Sequence, residues 1–267
     1  MSVSTELNYQ WHRYTLKGKI VRTLAYLLVA LVVAWSLSTM DIVWEWVWDA
    51  PVQISDLMGR MFPPNLNAVP SVLEAMVETI HIATLGTFLA IVLAMPIAYL
   101  GAQNVTPNKA TLWLGRFIIV ASRSVDTLVW ALFFVAIFGP GPFAGILAIG
   151  FRSIGFMAKL VGEAIEEIDW KPVEALQAAG ASKAHILVYG VIPQVFPTFL
   201  AVSILRWDVN IRESTVLGLV GAGGIGFILQ VAIDSFKWRT VGTIILSIIG
   251  IVIIAEFVTS YFRKRII

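Results

Sequence analysis

Residues 20–38 read IVRTLAYLLVALVVAWSLS, an apolar run in which Arg22 is the sole charge. An α-helix rises about 1.5 Å per residue, so roughly 20 such residues cross the ~30 Å hydrocarbon core of a bilayer. The stretch therefore reads as a membrane-spanning helix. It follows Arg13, Lys17 and Lys19, the basic flank that also precedes cleavable leaders. A leader, however, has an apolar core of about 7 to 15 residues and a small-x-small cleavage site. This run is longer and no such site follows it, so it reads as an uncleaved first span.

Working outward, five more stretches of similar length and polarity fall within residues 72–100, 117–138, 143–165, 193–221 and 241–262. The composition agrees: 58% of the 267 residues are hydrophobic and 13% charged, against roughly 45 to 50% and 25% in soluble domains. The net charge of +2, thinly spread, excludes a nucleic-acid-binding chain. With no cysteine, disulfides, thiolate metal sites and cysteine nucleophiles are excluded, and the 3 histidines, His12, His81 and His185, are too scattered to suggest a metal site. The expected fold is an all-α integral membrane protein of about six spans.

Lys and Arg collect on the cytoplasmic side of membrane helices. The N-terminal segment, Lys109 and Arg116, Lys171 and Lys183, and the terminal Arg263, Lys264 and Arg265 share one side. Asp41, Glu45, Asp49 and Asp56 fall on the other, with Lys237 and Arg239 as the exception there. Both termini are expected in the cytoplasm. The organisation that follows is a cytoplasmic segment 1–19, a first span 20–38, an external loop 39–70, a core 71–262 with a cytoplasmic connection at 166–192, and a cytoplasmic tail 263–267. In the external loop, Trp44, Trp46 and Trp48 alternate and so cannot share one helical face. They read as headgroup-level anchors, with ligand stacking as the alternative.

The connection at 163–191 is the one long polar segment between spans. Lys171-Pro172-Val173-Glu174-Ala175-Leu176-Gln177-Ala178-Ala179 has proline and an acid in a first helical turn, Gly180 stops it, and a second helix starts at Ser182. A helix-glycine-helix outside the membrane fits a groove of a soluble partner, although a plain capped loop has the same helix signals.

The run Glu174-Ala175-Leu176-Gln177-Ala178-Ala179-Gly180, followed by Gly190-Val191-Ile192-Pro193, resembles the EAA loop of permease subunits of ABC importers. The spacings from Glu174 to Gly180 and from Gly180 to Pro193 fit that motif. Leu176 stands in place of its second alanine and Gly190 in place of an isoleucine. The segments Gly139-Pro140-Gly141-Pro142, Glu163-Ala164-Ile165-Glu166, Tyr189-Gly190-Val191-Ile192-Pro193-Gln194 and the run from Arg212 to Gly226 are similar to permeases of phosphonate importers and their phosphite-importing relatives. The resemblance implies a type I importer permease in the bacterial inner membrane that works as a homodimer. It also implies two ATPase subunits, which bind the ATP and Mg, and an external solute-binding protein. Glu174, Ala175, Gly180 and Pro193 would be the coupling positions. A permease for methionine or another oxyanion is the rival within this class; an ATP-independent channel or carrier lies outside it.

Gly221-Ala222-Gly223-Gly224-Ile225-Gly226 also satisfies G-x-G-x-x-G, but a dinucleotide site needs a strand, a helix and a later acid that this context lacks. Gly221, Gly223, Gly224 and Gly226 read instead as a helix break with close packing, and the resemblance places them near an outer gate. No G-x-x-x-x-G-K-[ST] loop occurs, so the chain is not expected to be its own ATPase, and energy is expected from a partner or a gradient.

Charge inside a membrane is costly and usually functional. The fifth span holds Arg206, Asp208, Asn210, Arg212 and Glu213. Asp208 and Arg212 are four apart with the acid first, the favourable order for a helical ion pair. With that pair neutralised, Arg206 and Arg152 are expected as free cations, whose guanidinium forks suit a small phosphorus oxyanion. Structural pairing at a dimer seam is the alternative. Elsewhere, His81 is expected to bond a neighbouring helix, with a hydrolase using it as the remote reading. Glu74 and Glu78 are expected to be solvated, Pro96 to bend its helix, and Arg123 to pair with Asp126 near the cytoplasmic edge. No catalytic or metal-binding constellation can be assembled.

Overall fold

The computed structural model describes residues 16–40 and 42–266 and divides into two units, Met1–Asp56 and Leu57–Ile267. The expectations for His12, Arg13 and Asp41 lie outside the described residues. The first unit contains α1 (Leu16–Thr39) and most of α2 (Trp44–Met61). The apolar side chains of α1 are exposed, as expected of a helix solvated by lipid rather than water. Much of the expected external loop 39–70 is helical, because Glu45 and Arg60 complement the two ends of α2 and Pro51 does not interrupt it. Trp44 and Trp48 project from one side of α2 and Trp46 from the other, all exposed.

The second unit is helical throughout its regular structure: α3 (Val69–Gly101), α4 (Lys109–Ser124), α5 (Thr127–Phe138), α6 (Pro142–Glu166), α7 (Lys171–Ala178), α8 (Lys183–His185), α9 (Ile192–Leu217), α10 (Ile225–Asp234) and α11 (Trp238–Ile266). A π-helical turn, Ile186–Val191, joins α8 to α9. Among the described residues, five helical stretches are long and apolar enough to cross a bilayer, and the α4–α5 pair supplies a sixth span if it is counted as one.

The third span, read within 117–138, is broken between two helices. α4 and α5 meet at an angle of 92°. The Asp126 carboxylate accepts the Leu128 N–H at 3.1 Å, starting a new helix just where the apolar run looked continuous. Asp126 is thus a cap, and no Arg123–Asp126 ion pair forms among the described residues. The carbonyl of Val125, left open by the break, accepts from Arg152 Nη1 on α6 at 3.1 Å.

α3 and α6 form the spine. Their contact is lined by small residues, with Gly86, Ala90, Ala94 and Ala98 of α3 buried beside Gly150, Ala158 and Gly162 of α6. A Cβ on Gly86 would lie 2.6 Å from Ile149 Cγ2, and one on Gly150 2.7 Å from Leu89 Cδ2. In lipid, where apolar burial drives little association, close approach through such residues supplies the dispersion energy. α3 continues through Pro96. The loops before α4 and around α7 lie at one end of the bundle, and the glycine-rich turn 218–224 lies at the other beside Gly141 and Glu78.

Candidate functional site

At the first end, α7 and α8 form the helix-glycine-helix anticipated from sequence. Pro172 and Pro193 both occupy first turns, where a missing N–H is not needed. Gly180 has φ 75°, with nothing within 4 Å of where a Cβ would be. Glycine is therefore required there by backbone conformation and not by crowding. Ser182 caps α8 by accepting the His185 N–H. Glu174, Ala175 and Gly180 are exposed, and His185 stacks with exposed Tyr189 at 6.1 Å. The two departures from the motif touch one another: a Cβ on Gly190 would lie 3.2 Å from Leu176 Cδ1 and 3.3 Å from Val173 Cγ2. The larger residue on α7 is accommodated by the smaller one on the π-turn.

This element is fastened to the bundle. Val173 is buried against Val191, Val195 and Ile168. Gln194, whose role sequence reasoning missed, accepts the Asp169 N–H at 2.9 Å and donates to the carbonyls of Asp169 at 3.1 Å and Gly190 at 2.7 Å. Asp169 Oδ1 accepts the Lys171 N–H at 3.0 Å. Asn104 Nδ2 donates to Ile165 O at 2.6 Å, and Glu166 accepts from the Gln103 N–H at 2.7 Å and pairs with Arg116 at 3.3 Å. A push on α7 therefore reaches α6 and α9 through short, bonded connections.

Within the spans, Arg206, Asn210 and Glu213 share one face of α9. Arg206 is 4% exposed. Its Nη2 pairs with Glu213 at 3.2 Å, and its Nε donates to Ser153 Oγ at 2.8 Å. Ser153 donates to Asn210 Oδ1 at 3.1 Å, Asn210 Nδ2 to Thr87 Oγ1 at 2.7 Å, and Thr127 Oγ1 to Glu213 at 2.7 Å. A continuous polar network thus joins α3, α5, α6 and α9. This corrects the expectation of a free Arg206: its charge is compensated by Glu213, which lies two helical turns away on the same face. Arg152 has a carbonyl partner and no carboxylate among the described residues. Asp208 and Arg212 pair on the opposite side of α9, as expected from their spacing.

At the far end, Gly221, Gly223 and Gly224 have φ of 84°, 82° and 73°, values that side chains strain to adopt. Gly226 packs on Gly218 too closely for a side chain at either position. Glu78 Oε1 accepts the Gly224 N–H at 3.1 Å, and Thr79 Oγ1 the Ile225 N–H at 2.8 Å. Glu78 is therefore bound to the turn, contrary to the solvated role expected for it, whereas Glu74 is exposed. His81 is exposed and makes no hydrogen bond to a neighbouring helix among the described residues.

Several spans, a helical hairpin presented beyond them and a polar network between them define a membrane transport subunit. Residues 86–267 match the family described as binding-protein-dependent transport system inner membrane component, and the chain belongs to that family, as a multi-pass protein of the bacterial inner membrane. It is 41% identical over 208 residues to a putative phosphite transport system permease protein, HtxC, of Stutzerimonas stutzeri, covering 78% of this chain and 74% of the relative. It is 37% identical to the phosphite transport system permease protein PtxC of the same organism, covering 79% and 77%. A solved structure of the inward-facing MetNI methionine ABC transporter superposes with a TM-score of 0.66 at 20% identity, covering 76% of this chain and 99% of that one, which supports the fold.

Proposed function

We propose that this chain is the permease of an ATP-driven importer that moves a small phosphorus oxyanion, phosphite or a phosphonate, by alternating access. Two copies would pair across the membrane, each docking an ATPase subunit that binds ATP and Mg, with a solute-binding protein delivering cargo from outside. The observation that carries the reading is the α7–α8 hairpin, whose exposed face includes Glu174, Ala175 and Gly180 and whose buried face is bonded to α6 and α9. Such a hairpin transmits closure of the ATPases as a rigid lever. The relatives named for phosphite support the cargo over methionine. In this scheme Gly221 to Gly226 form an outer turn held by Glu78, and the network of Arg206, Asn210 and Glu213 holds the spans in register rather than holding cargo. The test is native mass measurement of the complex purified through this chain, together with titration of the accompanying binding protein. Two copies with two ATPases, and tight binding of phosphite or methylphosphonate, are expected; a chain isolated without an ATPase, or a binding protein selective for methionine, contradicts the proposal.

A further inference from the structure

α6 runs ~37 Å at 1.5 Å per residue and carries Arg152, Lys159, Glu163 and Glu166 along one stripe, spaced by near-integral turns. α4 faces it with Arg116 and Arg123, two turns apart. Between the two helices lies an open cleft of about 450 Å³, lined by Arg116, Arg123, Ser124, Lys159, Glu163 and Glu166. The charges are not evenly compensated. Arg116 pairs with Glu166 at 3.3 Å and Lys159 with Glu163 at 3.5 Å, both near the coupling-loop end. Arg123, at the deep end, has no carboxylate partner among the described residues. It lies 14 residues into α4, ~21 Å from the end that begins beside the coupling loop. α4 packs closely on α6 at this level: a Cβ on Gly155 would lie 2.6 Å from Ile119 O and 2.8 Å from Arg123 Cγ.

An unneutralised guanidinium at that depth is stable only against water, an anion or a partner. We propose that this cleft is the coupling-side half of the solute route, and that Arg123 is a transit site for the phosphorus oxyanion, released past the Lys159–Glu163 and Arg116–Glu166 pairs. The inference rests on the function proposed above, and it moves the cationic step from Arg206, which Glu213 neutralises, to Arg123. A lipid phosphate has the same chemistry but belongs at the headgroup level, where the cleft's cations Arg116 and Lys159 are already paired with Glu166 and Glu163. Arg123 instead packs its stem against Gly155, 11 residues or ~16 Å along α6 from the coupling-loop end. Paired charges at the mouth and one free cation within also suit passage, since a site that binds too tightly would retain its cargo.

The chain has no cysteine, so Ser124→Cys introduces a single thiol beside Arg123. In the complete importer in inverted vesicles, its reaction with an anionic sulfonate thiosulfonate reagent is compared with that of a cationic trimethylammonium analogue. Focusing by an uncompensated cation in a low-dielectric cleft favours the anion by at least roughly fivefold. That preference is expected to vanish when Arg123→Gln is added and to weaken under millimolar phosphite. Absence of reaction, equal rates for the two reagents, or a rate set by anionic lipid content and indifferent to phosphite overturns the inference. In the cysteine-free protein, Arg123→Gln is expected to lower phosphite uptake roughly tenfold while binding-protein-stimulated ATP hydrolysis persists, with Arg123→Lys retaining most uptake; unchanged uptake in Arg123→Gln overturns it as well. The two readings fail separately: no phosphite uptake by the parent complex removes the functional reading, whereas uptake by the parent with charge-blind labelling removes the cleft.

Discussion

Replacing Glu213 by leucine leaves Arg206 as an unpaired charge in the centre of the bundle. Breaking a buried ion pair from one side costs about 3 to 5 kcal/mol. The lower end applies, because Arg206 keeps its 2.8 Å bond to Ser153 and the Glu213 side chain is 23% exposed. Thr127 also loses the acceptor it holds at 2.7 Å, adding about 1 kcal/mol. The total, about 4 kcal/mol, corresponds to a fall in Tm of roughly 10 °C at 2 to 4 °C per kcal/mol. The assay is thermal unfolding of the purified complex in detergent, followed by tryptophan fluorescence, to which each copy of this chain contributes 10 tryptophans. The double variant Arg206→Met with Glu213→Leu removes both charges and is expected to recover most of the loss, since an apolar pair of similar volume needs no compensation. A single variant within about 1 kcal/mol of the parent, or a double variant as unstable as the single, would refute the assignment of Arg206 and Glu213 as a structural pair.

Three further outcomes follow from local geometry. Gly180→Val places a β-branched residue at φ 75°, a strain of roughly 1 to 2 kcal/mol. Membrane insertion should be unchanged, while uptake driven by ATP drops sharply, as read by vesicle transport beside a quantitative membrane blot. Gly190→Ile drives a side chain into Leu176 and Val173, an overpacking cost of about 1 to 3 kcal/mol. Adding Leu176→Ala should restore ATPase binding in a pull-down if the two residues compensate one another. Gly223→Ala combines φ 82° with a Cβ 2.6 Å from Glu78 Oε1. It should impair uptake with little effect on ATPase docking, because the turn lies at the opposite end of the bundle from α7.

Much of the fold is legible from run lengths, because a bilayer fixes how long an apolar helix must be. The break between α4 and α5 is the instructive exception. Hydropathy is blind to direction, and an apolar run through Asp126 looks the same straight or bent. The one local signal is the residue type: an aspartate just before Thr127-Leu128 is a strong helix start. The α7–α8 hairpin is readable because Pro172, Gly180 and Ser182 act on their own neighbours. Glu213 lies seven residues from Arg206, a spacing that puts both on one helical face and is visible in the sequence itself. Contacts such as Glu78 with Gly224, 146 residues apart, or Arg152 with Val125 depend on how the helices pack and have no signature in sequence spacing.

In the proposed function, ATP hydrolysis in partner subunits drives a phosphorus oxyanion through this chain. Uptake of radiolabelled phosphite into proteoliposomes carrying the purified complex, with loaded binding protein on the outside, tests it directly. Accumulation is expected to require ATP and Mg in the lumen, where the ATPase subunits face, and to be lost in Gly180→Val. Uptake that proceeds without ATP, or that is equally supported by the Gly180→Val complex, would contradict it.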